Sequence, residues 1–159
     1  MENLWAPWRI EYILGKRETY CIFCPEGGGH SDEERLILYR GERVMVMMNK
    51  YPYNNGHLLA VPYRHVDTLE ALTAEEATDM MAETALGIRA LRLASNPEGF
   101  NIGVNIGKIA GAGVIDHVHA HVVPRWGGDT NFMPVLADAK VIVEHLEEAW
   151  GRIRKGFEA

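Results

Sequence analysis

Residues 117–123 read HVHAHVV, three imidazoles at every second position of an otherwise apolar run. In a β-strand the side chains at i, i+2 and i+4 share a face. The spacing therefore predicts a strand with His117, His119 and His121 on one side and Val118, Ala120 and Val122 on the other. The apolar side is expected to pack on a core and the histidine side to stay open. A solvated strand face that happens to be rich in histidine is the plainer alternative, although the chain has only seven histidines in 159 residues.

Outward from this run the chain alternates strand and turn signals. FNIGVNI (100–106) places Phe100, Ile102, Val104 and Ile106 on one face and Asn101 and Asn105 on the other. HLLAVP (57–62) is a strand reached through the turn residues Pro52-Tyr53-Asn54-Asn55-Gly56. RLILYR (35–40) and VMVMM (44–48) are strands joined by the short Gly41-Glu42-Arg43. Thr73 and Glu76 form a capping box, followed by Ala77, Met80, Met81, Ile88 and Leu91 at helical spacing, which predicts a long helix to about Leu93. Ser95-Asn96-Pro97-Glu98-Gly99 ends it. Ile142, Leu146, Ala149, Trp150 and Ile153 mark a C-terminal amphipathic helix. Short connections between strands favour antiparallel pairing, so the fold class expected is α+β: an antiparallel sheet of about five strands, with one long helix and a C-terminal helix on one face. No repeat or low-complexity segment interrupts it.

Length and a 47% hydrophobic content suit one domain over 1–159. It divides into an N-terminal segment (1–34) with the cysteine hairpin, a core (35–125) and a C-terminal loop and helix (126–159). A net charge of −6 and a pI near 5.6 argue against a nucleic-acid binder, which needs a basic face. No apolar run approaches the roughly 20 residues that span a bilayer, and MENLWAPWRIEYI reads as neither signal nor transit peptide. A cytoplasmic protein with no membrane partner is expected.

The two cysteines, Cys21 and Cys24, lie in YCIFCPE. They make a poor disulfide framework. They fit half of a zinc site that His65 and His117 would complete, a closed Cys2His2 set pinning the hairpin to the sheet. A redox pair, or a reduced pair without metal, fits the same spacing.

HVHAHVV, together with MVMMNKYPYNNGHLLAVPYRH (45–65), CIFC and GFNIGVNIG, resembles the histidine triad family of nucleotide-binding hydrolases and transferases. The first stretch matches that family's His-x-His-x-His-x-x signature and the second its Asn-x-x-Pro-x-x-x-Gly-His segment. The likeness runs from about Tyr20 to Val123. LWAPWRIEYI and HVVPRWGGDTNF look further like the bacterial subgroup of diadenosine tetraphosphate phosphorylases, hydrolases and their relatives.

The resemblance implies an enzyme that cleaves dinucleoside polyphosphates or other AMP conjugates. By motif, His119 is the nucleophile that attacks the α-phosphorus and forms a nucleotidyl-histidine. His121 is a phosphate and leaving-group contact, His57 a second imidazole on the phosphate side, Asn49 the ribose contact and Asn105 a phosphate contact. Zinc-bearing members use the positions of Cys21, Cys24, His65 and His117. The family habit is a homodimer joined through the long helix and a neighbouring strand, and the methionines 45, 47, 48, 80 and 81 would serve either that interface or a core.

The chemistry suits the residues. An imidazole titrating near about 6.5 is largely neutral at pH 7 and can attack phosphorus without a strong base. His121, one strand repeat away at about 7 Å, can reach the same phosphate and donate to the departing oxygen. Ala110-Gly111-Ala112-Gly113 offers backbone N–H groups to a phosphate, or is simply a strand connection. Many family members carry glutamine in this loop, with serine or threonine beside it, where this chain has Ala112 and Gly113. That departure suits inorganic phosphate as acceptor in place of water, with Lys108, Arg125 and Trp126 as candidates for the second anion's side or as surface anchors. Two other classes remain open to the sequence: a zinc-stabilised nucleotide-binding module without turnover, and a metal-dependent enzyme using HVHAH as ligands.

Overall fold

The computed structural model describes residues 21–24, 30–130 and 141–159. The opening segment LWAPWRIEYI, residues 25–29 of the glycine-rich loop and NFMP of the loop after Trp126 lie outside the described residues.

Five strands form one antiparallel sheet: β1 (Ile37–Arg40), β2 (Val44–Met48), β3 (Leu58–Pro62), β4 (Gly99–Val104) and β5 (Ala120–Arg125), in the spatial order β1-β2-β3-β5-β4. Between β3 and β4 runs helix α1 (Ala74–Ser95), and α2 (Leu146–Glu158) closes the chain. No helix among the described residues is long and apolar enough to cross a membrane.

The capping box read from Thr73 and Glu76 is present in both directions. The Glu76 N–H donates to Thr73 Oγ1 at 3.2 Å and the Thr73 N–H to Glu76 Oε2 at 2.8 Å. Arg64 clamps the same carboxylate from outside at 2.6 and 2.9 Å, which ties the segment after β3 to the start of α1. At the far end Asn96 takes a left-handed conformation and Pro97 cannot continue the helix, so α1 stops at Ser95, two residues beyond the expected end. In α2, Ala149 and Ile153 are buried as the spacing requires, whereas Ile142 precedes the helix.

The period of two sorts the sheet into two faces. Val46, Met48, Leu58 and Val122 point to the helices and form one cluster with Leu91, Ala149 and Ile153. Met45, Met47, Leu59 and Val61 point the other way and pack on Ile37 and Phe23. Four of the five methionines thus belong to the core of a single chain, and Met81 alone of them is exposed. The two helices approach closely, because a Cβ added at Gly156 would lie 2.7 Å from the Ala90 carbonyl oxygen.

Two expectations need correction. The histidine strand begins at Ala120, not at His117. Pairing with β3 runs from Leu58↔Val122 to Ala60↔Ala120, and beyond it the Val118 N–H turns to the Val66 carbonyl at 2.7 Å. Pro62, at the end of β3, has no N–H to extend the ladder, and its carbonyl instead receives the His117 ring. The histidine face is also not open: His117, His119 and His121 are all buried. Phe23 covers part of it, with its ring centroid 5.7 Å from His117 and 4.8 Å from His119.

Candidate functional site

Register places the site. Met47 pairs with Leu59, Leu59 with His121 and His121 with Gly103, so one row crosses the sheet from β2 to β4 on the face away from the helices. His57, just before β3, reaches the same face from the turn 52–56. Two buried or half-buried amides hold that turn. Asn54 donates to the Pro124 carbonyl and to Asp129, at 2.9 and 2.8 Å, and Asn55 donates to Glu144 at 2.9 Å.

The hydrogen bonds assign the protons. The Tyr53 N–H donates to His57 Nδ1 at 3.0 Å, so that nitrogen is an acceptor and the ring proton is on Nε2. Asn49 Nδ2 lies 3.3 Å from the same acceptor, and Asn49 Oδ1 receives the Tyr51 N–H at 2.9 Å, which fixes the amide's orientation. His57 Nε2–H then donates to His121 Nδ1 at 2.9 Å. The proton of His121 is therefore on Nε2, which is buried and has no partner among the described residues. His119 has the opposite tautomer: Nδ1–H donates to the His117 carbonyl at 2.8 Å and leaves the Nε2 lone pair without a hydrogen-bond partner among the described residues.

Electrostatics holds this pattern. Burial, reinforced by His121 and His119, pushes the His57 pKa down to about 3. Burial and the neighbouring His119 push His121 down to about 4. Burial lowers His119 as well, against the hydrogen bond to the His117 carbonyl, which favours its charged form. The His57–His121 pair is neutral at pH 7, with an unused N–H donor on His121. The His119 ring, with its free lone pair, has its centroid 4.8 Å from that of His121. Such an arrangement can deliver a nucleophile and a hydrogen-bond donor to one electrophile.

His117 takes a third role on the same strand. Its Nε2–H donates to the Pro62 carbonyl at 2.8 Å, which leaves Nδ1 facing the sulfurs, 3.3 Å from Cys21 and 3.9 Å from Cys24. His65 Nδ1 lies 3.4 Å from Cys24 Sγ. The donor atoms of Cys21, Cys24, His65 and His117 all lie within 4.8 Å of one another, and the four could hold a metal ion. A carbonyl fixing the tautomer of a ligating imidazole is the outer-sphere arrangement a metal site needs. Arg35 orders the cysteine turn by donating to the Ile22 and Cys24 carbonyls at 3.0 and 2.8 Å.

Not every residue read from the sequence converges here. Beyond His121 an open cleft of about 200 Å3 is lined by Tyr53, residues 101–103 of β4, Asn105, His121 and Val123. Asn105 thus shares this cleft with His121. Asn49 stands behind His57. In the glycine loop the N–H groups of Gly111 and Ala112 are turned inward, to the Lys108 and Gly107 carbonyls, while Gly113 is exposed. Trp126 is not brought to the cleft: its indole N–H donates to the Ser95 carbonyl at 3.2 Å, at the end of α1. Arg125 is no free cation, since Asp129 binds it at 2.6 and 2.9 Å and its remaining nitrogen donates to Asn101. Tyr53 and Phe23 are the site residues that sequence reasoning missed. The proximity of Tyr53 to His57 and of Phe23 to the cysteines was the available signal, but neither forms part of a period.

The HIT domain family model matches residues 31–128. An AP-4-A phosphorylase of Mycobacterium tuberculosis is 43% identical over 156 residues, covering 93% of this chain and 80% of its own. An uncharacterized HIT-like protein of Saccharolobus solfataricus is 32% identical over 81% of this chain and 94% of its own. Among solved structures, a Zn-bound histidine triad family protein from Mycobacterium smegmatis aligns with a TM-score of 0.65 at 28% identity, covering 77% of this chain and 84% of that one. The alternating histidines, the sheet that carries them and these relatives agree: the chain belongs to the histidine triad (HIT) family.

Proposed function

We propose that this protein is a nucleotidyl-transferring enzyme that cleaves dinucleoside polyphosphates, diadenosine tetraphosphate among them, with inorganic phosphate as acceptor. The observation that carries the reading is the buried, unpartnered Nε2–H of His121 beside a His119 ring whose own Nε2 lone pair is free. The similarity to an AP-4-A phosphorylase supports the substrate class and the acceptor.

His119 Nε2 attacks the α-phosphorus as the bond from phosphorus to the bridging oxygen breaks. His121 Nε2–H stabilises the oxygen that leaves with ATP, and His57 holds His121 in the tautomer that donates. The nucleotidyl group on His119 passes to phosphate, giving ADP and freeing the imidazole. Two displacements with a good nucleophile replace one difficult step. Asn105 lies in the cleft beside the transferred phosphate, and Asn49, after release from His57, binds the ribose. Gly111, Ala112 and Gly113 leave room for the second anion. Trp126 acts on the structure at the end of α1 and not on substrate.

The four-residue cluster is a zinc site of structural type, since two thiolates and two imidazoles close a tetrahedron and leave no open position. Bound there, zinc ties the Cys21–Cys24 turn, and with it Phe23, to the histidine strand. The protein acts as a homodimer. The outer edge of β4 pairs with no strand among the described residues, and it carries the exposed Ile102. Light scattering at micromolar concentration should give twice the 17.9 kDa of the chain, and a monomeric mass contradicts the dimer.

Products decide the acceptor. Diadenosine tetraphosphate with phosphate should give ATP and ADP, and turnover should cease when phosphate is withheld. AMP released at the same rate without phosphate would make the protein a hydrolase.

Neighbouring histidines should fail in different ways. His119→Gly is expected to retain zinc and its melting temperature while losing turnover at least about a thousandfold. Cys24→Ser should lose zinc and melt about 5–10 °C lower, because metal binding and folding are coupled. A fully active His119→Gly protein would remove the nucleophile, and an unchanged Cys24→Ser protein would remove the metal site.

A further inference from the structure

β3 begins at Leu58, so the turn before it takes its position from side chains and not from the sheet ladder. That turn carries the Tyr53 N–H, which holds His57 Nδ1 at 3.0 Å, and the Asn54 carbonyl, which accepts the His57 N–H at 3.1 Å. Both bonds depend on where residue 54 stands. Asn54 is 5% exposed and spends both protons of its amide on anchorage. One goes to the Pro124 carbonyl of β5 at 2.9 Å and the other to Asp129 Oδ2 at 2.8 Å.

Asp129 is presented by a tight turn of its own. Its N–H donates to the Trp126 carbonyl at 3.1 Å, with Gly128 at φ +76° between them. Its side chain is 7% exposed. On its two oxygens converge Asn54 Nδ2, Arg125 Nε and Nη2, the Trp126 N–H and Thr130 Oγ1. An ionised carboxylate has about four lone-pair sites, so its accepting capacity is used in full. A surface ion pair between residues 125 and 129 contributes little by itself and needs no buried amide from a turn 75 residues away.

Asp129 does not line the cleft beside His121. Its effect on the site therefore passes through other residues. One route runs from Asp129 to Asn54, to the Tyr53 N–H and to His57. A second runs through Arg125, which donates to Asn101 Oδ1 at 2.9 Å. The first ends on the nitrogen that decides where the His57 proton resides.

We propose that Asp129 is a positioning residue for the histidine pair: through Asn54 it holds the Tyr53 N–H against His57 Nδ1, and so keeps the His57 proton on Nε2, where His121 receives it. The proposal rests on the reading of His121 Nε2–H as the donor to the leaving oxygen.

The His57 ring is the readout. In 15N-labelled, zinc-loaded Asp129→Ala protein, His57 should no longer be held in one tautomer, and its two ring nitrogens should move toward the averaged shifts of a free neutral imidazole. With diadenosine tetraphosphate and phosphate, kcat should fall about tenfold or more while KM changes less than about twofold. Asn54→Ala cuts the same link from the other end and leaves the Arg125 ion pair in place. It should reproduce both effects, and it carries the test if Asp129→Ala does not fold. In the double variant the loss in kcat should be no larger than in either single variant, because residues acting through one contact are not additive. Losses that multiply would route Asp129 through Arg125 and Asn101 and overturn the proposal. Folded, zinc-bearing variants whose His57 stays protonated on Nε2 alone would overturn it as well. If the wild type turns over no diadenosine tetraphosphate, the enzymatic reading fails by itself, and the His57 spectra of the variants still decide the role of Asp129.

Discussion

One proton, on His57 Nε2, sets the chemistry of the strand beside it. The backbone N–H of Tyr53 occupies the other nitrogen of that ring, so the proton has one place to be, and it is shared with His121 Nδ1 at 2.9 Å. Everything asked of His121 follows: its own proton is displaced to Nε2, buried and without a partner among the described residues. The turn 52–56 exists to hold this arrangement, and it is tied to β5 through Asn54 and to the segment before α2 through Asn55. A buried donor without a partner costs free energy in a folded protein, of the order of 1–3 kcal/mol. Its retention beside a second imidazole with a free lone pair is what distinguishes a site from a satisfied core.

The strand residues divide their labour by what each backbone neighbour takes. His117 gives its Nε2–H to the Pro62 carbonyl and turns Nδ1 to the cysteines, whereas His119 gives Nδ1–H to the His117 carbonyl and keeps Nε2 free. Two imidazoles two residues apart are thus opposite tautomers with opposite uses. Phe23, carried between the two cysteines, packs against both rings. The metal-type cluster therefore bears on His119 by holding Phe23 over its ring.

Sequence patterns revealed what depends on neighbours a few residues away. The Thr73–Glu76 box, the hairpin at Gly41-Glu42-Arg43 and the two-residue period of β2 and β3 are local, and each stands where the spacing put it, whereas β5 keeps the period only from Ala120 onward. The pairing of CIFC with His65 and His117 was also legible, because few residues in this chain can ligate a soft metal. What the pattern could not carry was cover and commitment. The period placed three histidines on one face but did not say that Phe23 would lie over it, since the turn that brings Phe23 is remote in sequence. Arg125 and Trp126 looked free because their partners, Asp129 with Asn101 and the Ser95 carbonyl, are set by tertiary packing. Tyr53 was hidden for the same reason, as one aromatic residue in a turn until the sheet sets it against His121.

The central claim concerns where three protons reside, and nitrogen NMR reads that directly. Long-range 1H–15N correlation spectra of uniformly 15N-labelled, zinc-loaded protein at pH 7 should show neutral rings with the proton on Nε2 for His57 and His121 and on Nδ1 for His119. Substituting each histidine in turn supplies the assignment. A His121 ring protonated at Nδ1, or a His119 ring protonated at Nε2, would contradict the account, because the donor and the nucleophile would then have exchanged places.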